Sequence, residues 1–533
     1  MKKVKNSMKT THINILICFI VILFMAIMPF CMTCVHASPD DDLMLLFASG
    51  AYTGKPSPYL IYSNIIYGCF ISSLYKMTPS IEWYSVIQYM LHMFSICVIL
   101  RGLLQTGINK VLKVLSIIVV LIVSVGCGAC LQYTFLAAEL SFASIVILLT
   151  SKGHKRYILA AFVFWISTLV RLTGAVLPYM ICLPILIFPF HLKDCSIKKR
   201  CLYLCYLIPL MAFTYLTDKV LYENNEDWKK FVQYNNQRQY INDNPSEKEC
   251  ISLFKAGTAQ RNESELMICY RTQDGTILSQ KEMKEMVELL NGKRIGNIKK
   301  SFYGYYYTYN YGIRIIVTLF VGILALFYIN NKQKIWIITA STVSLFMFIL
   351  ANLYLMSRSR PKEPVMLALI LCLIFVFVYY LVQIELKRLN IVLCGLMVLG
   401  TAAWLTKSFV ESRNIINENL IINKHLEYLS GQTRDKKILF HNNTYFQSDM
   451  FRLSQSIVGR KIVRSGWTTN SPHTKRYYEG IKSLYDRQLP FIYNTNCEHY
   501  IKICDSVMKY HYGIDCRRVI IFHSGDFVLA KYK

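Results

Sequence analysis

The chain has 533 residues, 54% of them hydrophobic, 14% aromatic and only 17% charged, which excludes a soluble globular protein and predicts one embedded in a membrane. Its formal net charge is +27. Most of that charge flanks apolar runs, where lysine and arginine anchor a span against anionic headgroups; no basic stripe with interleaved aromatics stands elsewhere, so no nucleic acid partner is expected.

In chain order, apolar and nearly charge-free runs cover 12–34, 84–100, 112–128, 131–150, 157–176, 178–191, 201–217, 311–330, 335–354, 364–383 and 390–408. They predict a polytopic α-helical membrane protein with about eleven transmembrane helices over residues 1–410. The basic segments "MKKVKNSMK", Arg101 to Lys113, "SKGHKR", "HLKDCSIKKR", "NNKQK" and "ELKR" all fall on one side if each run crosses once. By the positive-inside bias that side is the cytoplasm, so the expected protein is a multi-pass cell-membrane protein with its N-terminus inside. Residues 1–37 also carry the layout of a signal peptide, ending in "VHA" before Ser38. An uncleaved first helix is the reading adopted, because its outer end positions the aspartates at 40–42. Three segments then lie outside: a first outer loop at 35–83, a helical loop at 219–309 and a tail at 411–533. Within the first loop, 59–77 reads as an interfacial or re-entrant helix, since a span there would invert every later charge assignment.

The first outer loop opens with Asp40, Asp41 and Asp42. One aspartate suffices to cap a helix and favour its positive end. Three at a membrane exit, before a turn-rich segment with Gly50, Gly54, Pro56 and Pro58, point to a catalytic loop. A carboxylate near a low-dielectric boundary and beside like charges has its pKa raised, which suits a general base. Arg171 lies within the fifth run, where a charge needs a partner or a route to the interface. Glu139, at a similar depth in the preceding run, is the partner expected. His92, inside the second run, reads as a helix-to-helix contact. Arg358, Arg360 and Lys362 sit in an outer connector, against the usual charge bias, and suit a lipid phosphate.

In the loop at 219–309, Trp228, Tyr234, Arg238 and Tyr240 could make a sugar-stacking platform; the core of a small cap is the preferred reading. The tail alternates strand, helix, strand, helix, strand and helix, then ends in two β-runs around "SGD", a hairpin signature. It predicts a compact extracytoplasmic α/β domain with an accessory binding role and no Gly-rich phosphate loop. Of 18 cysteines most lie in the apolar runs; a Cys250–Cys269 bridge is open to the loop.

The acidic cluster at the first exit, the short amphipathic "YLIYSNIIYGCF" after it and the outer C-terminal domain together resemble the GT-C class of membrane glycosyltransferases. That class includes protein O-mannosyltransferases and the bacterial lipid A aminoarabinose transferase. The chain looks most like a bacterial branch found with cell-surface polysaccharide and cell-wall functions. The resemblance implies a GT-C-like fold, a polyprenyl-phosphate-linked sugar as donor and an acidic residue of the first outer loop as base. That role falls on one of Asp40, Asp41 or Asp42. No Trp-Trp-Asp motif is present, against protein N-glycosylation. The expected activity moves a sugar from a polyprenyl-phosphate donor in membrane lipid to an outer-surface glycan, lipid or protein acceptor. Arg171, Arg358, Arg360 and Lys362 would compensate the phosphate. No cofactor is expected; a divalent cation on the aspartates is the alternative, but hard-cation sites recruit ligands from several segments, so metal-independence is the expectation. The rival is a transporter or flippase for a lipid-linked glycan, in which the same residues line a pathway.

Overall fold

The computed structural model describes residues 2–105, 110–151, 153–187, 197–244, 246–268, 277–293, 299–300, 334–357, 363–382, 388–433, 437–441, 448–464, 467–468, 470–477, 489–510, 512–513, 515 and 517–533. The chain is mostly helical, with a small sheet near its C-terminus. After α1 (Lys2–Cys31) come the two-residue β1 (Val35–His36), α2 (Pro39–Ser49), α3 (Ile65–Met77), α4 (Trp83–Gln105), α5 (Lys110–Ala129), β2 (Cys130–Leu131), α6 (Tyr133–Thr150), α7 (Lys155–Ile187) and α8 (Ile197–Glu223). The described part of the segment expected as an outer loop folds as α9 (Glu226–Asn242), α10 (Ala259–Ile268) and α11 (Gln280–Gly292), helical as its pattern predicts. Next come α12 (Lys334–Ser357), α13 (Glu363–Val382) and α14 (Arg388–Gly431). Among the described residues five helices are long and apolar enough to cross a membrane, within α4, α6, α7, α8 and α12; Ile15–Cys31, Lys113–Ala129 and Val365–Phe377 are shorter apolar helices. The run at 311–330 and the residues Arg358, Arg360 and Lys362 lie outside the described residues.

Two of the predicted spans, 157–176 and 178–191, form one unbroken sequence element that doubles back. Arg171 takes an extended conformation, φ −162° and ψ 106°, in the middle of α7. The rings of Phe164 and Tyr179 stand 4.8 Å apart, whereas fifteen residues of straight helix would separate them by about 22 Å. The boundary expected near 177 is therefore at Arg171. Both arms lie on α6: Ser167 Oγ donates to the Ala137 carbonyl, Ser141 Oγ donates to that of Ala175, and Ser144 bonds the Tyr179 hydroxyl. Gly174 permits this, since a Cβ there would stand 2.7 Å from the Thr134 carbonyl oxygen.

These reversals collect one end of the bundle. Pairing of Val35 with Cys130 and of His36 with Leu131 joins the exit of α1 to the end of α5, next to the start of α6 and the Arg171 apex. α13 runs alongside α6 in the same direction, with Ala368 against Phe135 and Ala138 and the Phe375 ring 4.7 Å from that of Phe142. Its first turn, directly after the 358–362 connector, is thus at the same end. The expected helix at 59–77 begins only at Ile65, capped by the Asn64 side chain.

α14 lies along α5, with Gly395 beside Leu115 and Gly126 beside Phe409. At 44 residues it is about 66 Å long, twice a hydrocarbon core, and its last turns leave the bundle to carry the sheet. There Leu426 and Leu429 pack with Ile438, Phe440, Ile492 and Leu529. The sheet has the order β4 (Ile462–Arg464), β3 (Ile438–His441), β5 (Phe491–Asn494), β7 (Phe527–Tyr532), β6 (Arg518–Ser524). The first three strands are parallel and the last two form the expected hairpin, turning at Gly525 with φ 57°. The helix expected at 446–456 is displaced: the described chain has a single 3-10 turn at Leu453–Gln455, then a short helix at Ile457–Lys461.

Candidate functional site

α2 is apolar on every side past its first turn, and Leu43 to Ala48 are all buried. A helix hydrophobic all round belongs in an interior, so it draws its own first-turn acids inward. Ser38 caps it by accepting from the Asp40 N–H, and Pro39 opens it, where a missing N–H costs nothing. Asp40 remains partly exposed, whereas Asp41 and Asp42 are both 0% exposed.

The three carboxylates have different partners. Asp40 Oδ1 accepts from the Trp467 indole N–H at 2.8 Å. Asp42 Oδ1 meets His36 Nδ1 at 2.8 Å, and its Oδ2 meets Arg464 Nη1, at the end of β4, at 3.1 Å. The Ser85 hydroxyl donates its one hydrogen to the Met450 carbonyl at 2.6 Å, so at 3.3 Å it accepts from His36 Nε2. Both ring nitrogens then donate, which makes His36 an imidazolium. Burial opposes that charge, but the bond and charge of Asp42, with Asp41 and Glu82, outweigh it and raise the His36 pKa. Asp41 Oδ1 accepts from the Tyr84 hydroxyl at 2.9 Å and from Gln88 Nε2 at 3.4 Å, while its buried Oδ2 has no partner among the described residues. Burial pushes the Asp41 carboxyl up to about 7, against the opposing pull of His36, Tyr84 and Gln88. Gln88 Oε1 is also buried without a partner among the described residues, and the buried Tyr67 hydroxyl lies beside the same Gln88 side chain. Buried polar atoms are almost always bonded in native proteins, so unsatisfied ones mark a place for water, ligand or chemistry.

Around this core the tail and the first loop interlock. Glu82 Oε1 accepts from the Ser454 N–H at 2.6 Å, the Trp467 ring packs 5.0 Å from that of Tyr62, and His473 stands over Phe47 at 4.2 Å. The accessory role expected of the tail is therefore incomplete: the last residue of β4, Arg464, and Trp467 just beyond that strand reach the aspartates.

Arg171 does not pair with Glu139. Its Nη1 donates to the Tyr62 carbonyl at 2.7 Å, and its guanidinium lies 5.3 Å from the ring centres of both Tyr62 and Tyr133. Glu139 bonds His92 at 2.7 Å instead. The reversal at Arg171 keeps the two apart, since it turns the arginine side chain out to the bundle end and leaves Glu139 inside. Trp228, 2% exposed, stacks on Tyr59 at 4.6 Å and 10°, so it is cap core and not a sugar platform. Arg238, also buried, donates through Nε and Nη2 to Asn235 Oδ1. Cys250 is a free buried thiol; Cys269 lies outside the described residues.

Sequence reading missed His36, Tyr84, Gln88, Arg464 and Trp467. His36 had a local signal, six residues before Asp42; nothing local marks Arg464, 422 residues beyond it. Among the described residues no group of three or more His, Cys, Asp or Glu side chains is arranged to hold a metal ion. No family model matches the chain, and no curated protein or solved structure matches it.

Proposed function

We propose that this chain is an integral-membrane glycosyltransferase of the GT-C type, with about eleven spans and an outward-facing site. It transfers a sugar from a polyprenyl-phosphate donor to an outer-surface acceptor, and Asp41 is its base. The observation that carries this reading is the contrast inside the triplet. Asp42 has both oxygens engaged by His36 and Arg464, whereas Asp41 keeps one oxygen unpartnered among the described residues and its carboxyl is raised to about 7. A base is most effective when its pKa sits near the working pH.

In the displacement, an acceptor hydroxyl gives its proton to Asp41 Oδ2 as its oxygen bonds the anomeric carbon. The bond from that carbon to the phosphate oxygen breaks, and the polyprenyl phosphate leaves with the electron pair. Arg171 at the apex of α7, with Arg358, Arg360 and Lys362 in the connector before α13, offers cations to the departing phosphate. Tyr84 and Gln88 hold the first oxygen of Asp41 and so aim the second.

The test replaces each aspartate singly with Asn and measures sugar transfer from a polyprenyl-phosphate donor in membranes. Asp41→Asn is expected to lose about 10²–10⁴-fold in turnover while still binding donor. Asp40→Asn is expected to retain most activity. Wild-type turnover in Asp41→Asn removes the proposed base; donor translocation with no glycosidic bond formed would instead identify a transporter.

A further inference from the structure

Two acceptor oxygens on bonded side chains have nothing to accept from. Asp41 Oδ2 and Gln88 Oε1 are both buried without a partner among the described residues, on side chains that are 0% exposed. One bond joins their two planar groups: Gln88 Nε2 donates to Asp41 Oδ1 at 3.4 Å. An ionised carboxylate has no hydrogen to give, so the amide must present its NH₂ group to it. That fixes which end of Gln88 is left open. The Tyr84 hydroxyl, donating to Asp41 Oδ1 at 2.9 Å, holds the carboxylate from the other side. Both open atoms take a hydrogen and neither supplies one.

That pair of atoms selects a ligand. Phosphate and carboxylate would bring only further acceptors. A serine or threonine hydroxyl would satisfy one atom and leave the other buried and unbonded, and an unpaired buried polar group is what makes a site reject a substrate. A sugar ring carries hydroxyls on adjacent carbons, each with one hydrogen to donate. Aromatic rings reach the same first turn of α2. Trp467 donates its indole N–H to Asp40 Oδ1 at 2.8 Å and packs 5.0 Å from the ring of Tyr62, which lies 6.4 Å from that of Tyr133 at 22°. Aromatic side chains with a few convergent polar groups are the usual lining of a small-molecule pocket.

We infer that Asp41 Oδ2 and Gln88 Oε1 together bind two adjacent hydroxyls of a sugar, so that the acceptor is a glycan and not a protein side chain. The first hydroxyl is the one that loses its proton to Asp41. Its neighbour keeps its hydrogen, donates it to Gln88 Oε1 and so aims the first. Gln88 is thereby a specificity-determining residue. This deepens the transferase reading and rests on it for the role of acceptor alone, since binding of the two hydroxyls needs no donor.

The test uses the purified full-length protein in detergent, read by thermal unfolding in titrations of methyl glucoside, methyl mannoside and methyl galactoside. Between them these probes present adjacent hydroxyls in both the trans and the cis arrangement. N-acetylserine amide and ammonium chloride are the controls. At least one glycoside is expected to raise the unfolding temperature of wild type. Deoxy analogues of that glycoside lacking either of the two hydroxyls are expected to bind at least ~10-fold more weakly, and Gln88→Leu to weaken the parent glycoside by a similar factor. The deoxy analogues need no variant, so they decide the matter even if Gln88→Leu does not fold. No stabilisation by any of the three glycosides, unchanged binding of every deoxy analogue, undiminished glycoside binding in Gln88→Leu, or tighter binding of N-acetylserine amide overturns the site. Stabilisation by ammonium chloride alone marks a cation site and overturns it too. Glycoside binding without sugar transfer in membranes sustains the site and removes the enzyme reading; transfer to a serine peptide with no glycoside binding does the reverse.

Discussion

Two buried histidine–carboxylate pairs of nearly the same length serve different ends. His36 and Asp42 meet at 2.8 Å where the loops converge; His92 and Glu139 meet at 2.7 Å between α4 and α6. The inner pair is bounded by its own helices, with His92 Nε2 on the Ser124 carbonyl at 3.1 Å and Glu139 Oε1 buried without a partner among the described residues, and it ties three neighbouring helices. The outer pair is extended at both ends, through Ser85 to the Met450 carbonyl and through Asp42 to Arg464. That extension locks the first loop, α4 and the tail together and occupies Asp42, which leaves the adjacent Asp41 as the carboxylate with an open oxygen. The neighbours, not the pair itself, decide whether such a pair ties helices alone or joins a loop and the tail to them.

The two pairs differ most at Arg464. Replacing it with Met strands Asp42 beside His36 and is expected to cost about 3–5 kcal/mol, read as earlier thermal unfolding and faster proteolysis of the tail. The double change Asp42→Asn, Arg464→Met should not recover that loss, because Asp42→Asn also takes the carboxylate away from the buried His36.

A second effect arises at Asp41. Its carboxyl is raised to about 7 in the fold, and the unfolded chain should titrate near the ordinary carboxylate value of about 4. The folded state holds the extra proton between those values, so stability is full below about pH 4 and falls as pH rises to about 7. Asp41→Asn lacks this loss; its advantage over wild type should grow across that window to at most ~4 kcal/mol. Unfolding both proteins at acid and at mildly alkaline pH measures it. For His36 the pKa is raised, so its stabilisation is complete below the unfolded value and fades as pH rises through the folded one.

The inner pair should respond more mildly. His92→Leu is expected to cost about 1–2 kcal/mol, the range for bonds between membrane helices. His92→Leu with Glu139→Leu should recover most of it, and sugar transfer per folded molecule should be unchanged. Smallest of all is the turn at Leu60–Tyr62. Ile61 stands at φ 69°, with the Tyr62 N–H donating back to the Leu60 carbonyl, the Tyr222 hydroxyl accepting from the Ile61 N–H, and Arg171 donating to the Tyr62 carbonyl. A β-branched residue there is strained, and Ile61→Gly should gain up to ~1 kcal/mol. A loss instead would show that the turn is held by side-chain packing.

Much of this architecture was legible as pattern. Apolar length located the helices from α4 to α8, alternation and "SGD" located the sheet and its hairpin, and the aspartate triplet stood out because it contradicts its surroundings. The partners did not, because they are set by distance in space: Arg464 lies 422 residues beyond Asp42 and reads locally as the end of an ordinary strand. The reversal at Arg171 was hidden for a related reason. Hydropathy places a boundary where apolarity fades, near 177, but the chain turns where one charged side chain reaches the bundle end and bonds the Tyr62 carbonyl.

The central claim, that Asp41 is the titrating base, is tested most directly by the pH dependence of sugar transfer in wild type and Asp41→Asn. Wild-type turnover is predicted to rise as pH passes through about 7, and Asp41→Asn to show a small residual rate without that rise. A wild-type profile flat across that range, or the same rise in Asp41→Asn, would contradict it.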